Sequence, residues 1–364
     1  MRRWLKFFGL ALLGAILFLI VAVKTGPSNL GRVFALLFDF NSFSLVIISL
    51  VVVYFGALRS SIVLRSFGYK LSLWSLTTLW LAGFGVGYAL PVSALGGDVV
   101  KVYFTKKKFN FLSWERAIAA TGAERILDAT AFFVFLVAGL AVFAIKNDLT
   151  TVLSVGVLAG LAIIMAGLVL FYFKARKKQG ILQGLFDFSG LAKLKFFKGQ
   201  GNDILLGAEK EMLVFFHTSK SYFGQALAVS FLRYLALFAR AWLLLFFVTG
   251  HIGLFKSLAV FGFTNLGSIP PVPASLGTLE LSVGLCFKGL GLGFDSGAVF
   301  SMILRSIDLL LCLVGLVYGA KFALAIAERR VLSLFKIERG QTPSNLEFFH
   351  ISAPRALQRG FDKP

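Results

Sequence analysis

The chain has 364 residues, of which 58% are hydrophobic and only 15% charged, with 37 Lys and Arg against 17 Asp and Glu and a net charge of +20. A soluble globular chain carries roughly a quarter charged residues, so a soluble enzyme is excluded and the apolar surplus has to face lipid. Nucleic-acid binding is a poor account of the positive charge, because bases in so apolar a chain collect in cytoplasmic loops.

The first predicted span covers residues 7–23, behind Arg2 and Arg3. No small-residue cleavage site follows it, so it reads as a retained span with its N-terminus inside. A second span over 43–58 leads into a basic loop holding Arg59, Arg65 and Lys70. Residues 71–100 are apolar, yet basic loops at 59–70 and 101–116 flank them on both sides. Both ends then belong to the cytoplasmic side, which a single crossing cannot satisfy. Pro91 and the pair Gly96 and Gly97 interrupt this stretch, so it is predicted to be a re-entrant or broken helical hairpin.

Spans follow at 117–145 and 150–173, then a basic cytoplasmic loop over 174–220 and a span at 222–248. The apolar stretch 257–287 is broken by Pro270, Pro271, Pro273 and Gly277 and reads as a second hairpin. A last span at 297–327 ends on Glu328, Arg329 and Arg330, and the tail 328–364 is a short, basic cytoplasmic segment without features of a catalytic domain. The predicted fold is therefore an all-α polytopic membrane protein with six full spans, two hairpins and both termini inside. Its membrane domain is residues 1–327.

The two hairpin regions share an order of residues. Pro91, Gly96, Gly97 and Asp98 are followed by Glu124, Arg125 and Asp128; Pro273, Gly277 and Glu280 are followed by Arg305 and Asp308. Counting crossings makes the first hairpin enter from inside and the second from outside. Matched order with opposed direction predicts an inverted repeat, about 43–173 and 222–327, which is a transporter architecture. Half-helix N-termini there present N–H groups to anions, so Gly96, Gly97 and Gly277 are candidate backbone donors. Asp98 would cap the first half-helix, and Ser275 or Thr278 the second. The same glycines equally permit close helix packing.

Five acids (Asp98, Glu124, Asp128, Glu280, Asp308) and four arginines (Arg125, Arg233, Arg240, Arg305) lie in or beside apolar segments. Each unpaired charge costs about 2.5–3.5 kcal/mol at the centre of an inserted helix, and the near balance of signs favours pairing. Arg125 with Asp128, and Arg305 with Asp308, are three residues apart and within reach inside one helix; Arg233 and Arg240 are two turns apart on one face. Such a set is either a structural ion-pair network or the wall of a cavity. In the second case Arg125, Arg233 and Arg305 would grip an anionic head group, and the acids with Arg240 would pair or carry a coupling proton. Cys286, Cys312, His217, His251 and His350 lack ligand spacing, so no metal site, disulfide framework or cofactor is expected. No G-x-x-x-x-G-K-[ST] sequence occurs, so movement of a ligand would not draw on ATP at this chain.

Taken together, Pro91, Gly96, Gly97, Asp98, Lys101 and Tyr103, then Glu124, Arg125 and Asp128, then Pro270, Pro271, Pro273, Gly277, Glu280 and Arg305, resemble the transmembrane domain of lysylphosphatidylglycerol synthase/flippase proteins over about residues 5–327. The resemblance implies a stand-alone, flippase-like protein of a bacterial or archaeal cytoplasmic membrane, with membrane lipids as ligands and lipid-modifying enzymes as candidate partners. Two departures stand out. Pro273, Ala274 and Ser275 replace the family's proline followed by two glycines, and only 37 residues follow the last span. The soluble aminoacyl-transferase domain is thus expected to be absent, and the expected role is non-enzymatic. A membrane-embedded transferase acting on a phospholipid or polyprenyl phosphate, and a non-catalytic scaffold for lipid-modifying enzymes, stay open as alternatives.

Overall fold

A computed structural model describes residues 31–89, 93–146, 165–167, 169–170, 172–173, 200–250, 253–270 and 272–338. The chain divides into two compact units, Met1–Ala320 and Lys321–Pro364. Everything functional below lies in the first; the second contributes the last turns of the final helix, as far as Glu338.

Among the described residues the long elements are helices and there is no strand. They are α1 (Phe40–Ser66), α2 (Leu73–Ala89), α3 (Ser93–Lys108), α4 (Trp114–Lys146), α5 (Gln200–Thr218), α6 (Lys220–Thr249), α7 (Leu254–Gly267), α8 (Thr278–Gly289) and α9 (Phe294–Glu338). Four stretches are long and apolar enough to cross a membrane: Ser42–Ser66, Trp114–Ala144, Lys220–Thr249 and Phe294–Glu328. They coincide with the predicted spans at 43–58, 117–145, 222–248 and 297–327. The predicted span at 7–23 lies outside the described residues, as does most of 150–173.

The helix ends follow from local chemistry. α1 stops where Gly68 takes φ +87°, and the N–H groups of Phe67 and Tyr69 return to the carbonyl of Leu64. Gly250 closes α6 in the same left-handed conformation, its N–H bonded to the Phe246 carbonyl at 2.7 Å. Ser113 starts α4 by accepting the Arg116 N–H at 3.3 Å.

Three boundaries differ from the sequence reading. α1 continues to Ser66, so Arg59 is helical and buried rather than the start of a loop. α3 runs to Lys108, making the first half of the expected loop 101–116 helical. Within the expected loop 174–220, residues 200–218 form α5, which buries Ala208, Met212 and Phe215. Hydropathy reads a charge as the end of a span. It cannot see that a partner on another helix makes that charge tolerable inside one.

The two interrupted stretches are helix, break, helix. α2 and α3 flank residues 90–92, so Pro91 lies outside the described residues. α7 and α8 flank a break that includes Pro270 and a single tight turn at Pro273–Ser275; Pro271 lies outside the described residues. In that turn Ala274 (φ 50°) and Ser275 (φ 51°) are both left-handed, which side-chain-bearing residues adopt only when their surroundings hold them there. The apolar core lies where α6, α7, α8 and α9 meet, around Leu244, Leu245, Val283, Phe287, Phe300 and Ile303.

Two helix crossings are so tight that only glycine fits. A Cβ on Gly85 of α2 would come 2.7 Å from the Leu316 nitrogen of α9, and one on Gly262 of α7 would come 2.9 Å from the Gly139 Cα of α4. In each case the first helix of a broken pair crosses a long helix from the other part of the sequence.

Candidate functional site

The intramembrane charges gather into two groups. In the first, Asp128 of α4 accepts bonds from Arg59 of α1 and, at 2.8 Å, from Arg233 of α6. Glu124, one turn earlier on α4, takes Lys101 of α3 at 2.5 Å and lies 3.5 Å from Arg59. Ser60 fills the gap, accepting from Lys101 at 2.9 Å and donating to Glu124 at 2.9 Å. Arg233 also lies over the Trp80 ring, 5.3 Å from its centre, a position open to the indole because Gly56 of α1 has no side chain. Arg125 pairs with Asp98 of α3 at 2.6 Å.

In the second group, Arg240 of α6 bonds Asp308 of α9 at 2.7 Å. Arg305 and Glu280 form a two-pronged pair, Nη1 to Oε1 at 2.6 Å and Nη2 to Oε2 at 2.9 Å. The break between α7 and α8 is tied into it. Arg305 donates to the Ser275 carbonyl at 2.7 Å, and Glu280 accepts the N–H of Gly277 at 2.8 Å. Gly277 itself holds φ +75°, and Thr278 bonds back to the carbonyls of Gly267 and Ser275. Arg305 therefore clamps the left-handed turn from outside while Glu280 anchors it from within.

Two ion pairs of the first group recur in the second. The hairpin acid pairs with the arginine that begins R-x-x-D: Asp98 with Arg125, Glu280 with Arg305, at sequence separations of 27 and 25. The aspartate of that motif pairs with an arginine on the preceding long helix: Arg59 with Asp128, Arg240 with Asp308, at separations of 69 and 68. Moreover, Arg59 reaches Ser230 on α6 at 3.3 Å, and Arg240 reaches Ser49 on α1 at 3.1 Å. These reciprocal bonds put α1 and α6 side by side and antiparallel.

Exposure separates the two hairpin acid–arginine pairs. The side chains of Arg305 and Glu280 are 6% and 0% exposed, whereas those of Arg125 and Asp98 are 45% and 22% exposed. One pair is sealed by the break around it, and its counterpart can be reached. A cavity of about 430 Å³ between the start of α1 and α9, lined by Leu37, Asp39, Val46 and Ile307, lies apart from both.

Several expectations are corrected here. Arg125 and Arg305 form ion pairs with hairpin acids on other helices, and the aspartates three residues on take arginines from α1 and α6. Asp98 is the sixth residue of α3, too far in to cap it. Gly97 is a packing residue instead of an anion donor: a Cβ there would strike the backbone of Gly83 and Gly87 on α2, and Gly96 sits beside it within the helix. At α8 the N-cap is Gly277, and neither Ser275 nor Thr278 takes that place. Arg233 and Arg240 share a face of α6 but serve different groups. Reading the sequence placed Arg59 at the head of a basic loop, gave Lys101 no ion-pair role, and missed Ser49, Ser60 and Ser230. One signal was available: Ser49 precedes Arg59 by the same ten residues that separate Ser230 from Arg240.

Among the described residues no three His, Cys, Asp or Glu side chains are placed to hold a metal ion. No curated protein matches the chain. The family described as Lysylphosphatidylglycerol synthase TM region matches residues 6–315. With that match, and with four helices suited to crossing a bilayer, the chain is a multi-pass membrane protein with a lipid-related role, and it belongs to the lysylphosphatidylglycerol synthase transmembrane-region family.

Proposed function

We propose that the protein is a transporter, not an enzyme, that binds a lipid head group at Arg125 and carries it between the leaflets of a cytoplasmic membrane. The observation that carries this reading is the unequal exposure of two matched acid–arginine pairs. Arg125–Asp98 is accessible and Arg305–Glu280 is sealed. In a pair of repeats of opposite orientation, with both termini inside, matched pairs face opposite leaflets. A molecule open at one and closed at the other is then one of two states of an alternating-access cycle. The reciprocal bonds between α1 and α6, and the two glycine crossings, support the repeat relationship, since each contact has a counterpart with the halves exchanged.

In this cycle the left-handed turn at Ala274 and Ser275 stores the closed state on the far side. Arg305 holds it by the Ser275 carbonyl, and losing that bond lets the break relax and expose Glu280. Membrane lipids are the ligands, and lipid-modifying enzymes that make or consume them are the natural partners.

Reconstitution into liposomes tests the proposal. Vesicles containing the protein should exchange fluorescent phospholipid between leaflets faster than empty vesicles, and Arg125→Gln should return the rate to the empty-vesicle value while the protein remains monodisperse. Exchange equal to that of empty vesicles across anionic, zwitterionic and lysylated lipids, with and without a proton gradient, overturns it.

A further inference from the structure

α2 is packed against elements of both charge groups. Toward α3 the contact is backbone on backbone: a Cβ on Gly87 would come 3.0 Å from the Gly97 Cα, and one on Gly83 would come 3.2 Å from the Cβ of Lys101. Toward α9 it is as close, since a Cβ on Gly85 would lie 2.7 Å from the Leu316 nitrogen and 2.8 Å from the Cys312 carbonyl oxygen. The Cys312 thiol also donates to the Gly85 carbonyl at 3.3 Å.

Three glycines within residues 83–87 weaken a helix. A ladder of rings stiffens this one. Trp80, Phe84 and Tyr88 follow one another at one-turn spacing, their centroids 5.5 Å apart at each step. By helical periodicity the ladder runs between the α3-facing and the α9-facing glycines. Its first ring lies under Arg233 and against Gly56. Its last lies within electrostatic reach of Asp308 and Arg305, and α2 also packs beside the Pro273–Ser275 turn that Arg305 clamps.

Backbones in such contact pass a displacement on, because a close-packed interior has few voids to absorb it. Movement of Asp98 away from α4 therefore carries α2 along with α3, and α2 leaves α9 and the turn as it goes. Resting on the alternating-access reading above, we infer that α2 is the arm coupling the two acid–arginine pairs: release of Arg125 by Asp98 draws α2 off the left-handed turn, and this frees the sealed pair to open. The turn is the two-state element, and both pairs bias it. Such coupling is reciprocal, so opening at Glu280 and Arg305 favours release at Asp98.

The test reads the reactivity of Cys312, 4% exposed and bonded to α2, in the full chain in nanodiscs, with Cys286→Ala leaving it the sole thiol. N-ethylmaleimide should modify it slowly in that background. Arg125→Gln, which breaks the pair with Asp98, should raise the rate about fivefold or more, the lower end of coupling between linked sites. Arg116→Gln breaks an ion pair between the same helix and Glu211 of α5, and should leave the rate unchanged. In Gly97→Ala the new Cβ parts α3 from α2, and adding Arg125→Gln should then change little; Gly87→Ala takes its place if Gly97→Ala does not fold. An Arg125→Gln protein with Cys312 still protected overturns the inference, and so does an equal rise in Arg116→Gln, which marks general loosening. An undiminished effect of Arg125→Gln in the glycine variants overturns α2 as the carrier. Leaflet exchange in vesicles separates the two readings: exchange without a Cys312 response sinks the arm and leaves transport standing, whereas a Cys312 response without exchange upholds the arm and sinks transport.

Discussion

Asp128 receives two arginines from two helices, whereas Asp98 meets one, at an accessible pair. Removing the first carboxylate leaves Arg59 and Arg233 in a nearly enclosed place with a neutral amide, and breaking a buried pair from one side costs about 3–5 kcal/mol. Asp128→Asn should therefore lower the midpoint of thermal unfolding in detergent by many degrees, while Asp98→Asn, at a partly exposed pair worth about 1 kcal/mol, should lower it much less. Equal losses from the two substitutions would contradict the contrast between a buried Asp128 and an accessible Asp98. Individual charges were legible in the sequence, because an acid or arginine in an apolar run demands a reason. Their partners were not. Spacing of three residues pointed Arg125 at Asp128, since one helix is all that local spacing can describe, and the true partner sits on a helix that only tertiary packing brings near. The ion-pair roles of Arg59 and Lys101 escaped notice because each lies close enough to a basic stretch to pass for its first residue.

The helices are held together at glycines as much as at charges. Gly139 and Gly262 let α4 and α7 touch backbone to backbone, and a Cβ on either would require the pair to separate. Gly139→Val should destabilise the folded protein by about 1–3 kcal/mol through overpacking. Gly224, on α6 with nothing within 4 Å of its would-be Cβ, is the contrasting position. Gly224→Ala should stabilise slightly, by about 0.5–1 kcal/mol, because it improves helix propensity without a clash. Thermal unfolding of both variants in the same detergent settles the comparison, and a harmless Gly139→Val would show that the crossing is loose. At this scale the breaks in both hairpin regions were readable from proline and glycine. The form of the second was not, since two successive left-handed residues at Ala274 and Ser275 are imposed by Arg305 and Glu280, which lie outside the turn.

Orientation belongs to the whole molecule, and the basic loops fix an expectation for it. Lys70 and Asn110 are exposed in the connections before α2 and after α3, and Gly291 is exposed between α8 and α9. Both native cysteines are buried, so a thiol introduced at any of these positions is the reactive one. With the two broken pairs entering from opposite sides, Lys70→Cys and Asn110→Cys should resist a membrane-impermeant maleimide applied to intact cells, and Gly291→Cys should react. Labelling of all three from one side would refute the opposed orientation and the repeat relationship with it. The match between the halves also bears on how the chain is made. Arg59 and Asp128 are 69 residues apart, and Arg240 and Asp308 are 68. A ribosome adding about 5–20 residues per second needs roughly 3–15 s to supply each carboxylate after its arginine. For that interval each arginine reaches the bilayer without its acid, so the nascent chain depends on the insertion machinery twice, at the same point in each half. Slowed translation between α1 and α4, or between α6 and α9, should surface as quality-control degradation of a protein whose finished form is sound.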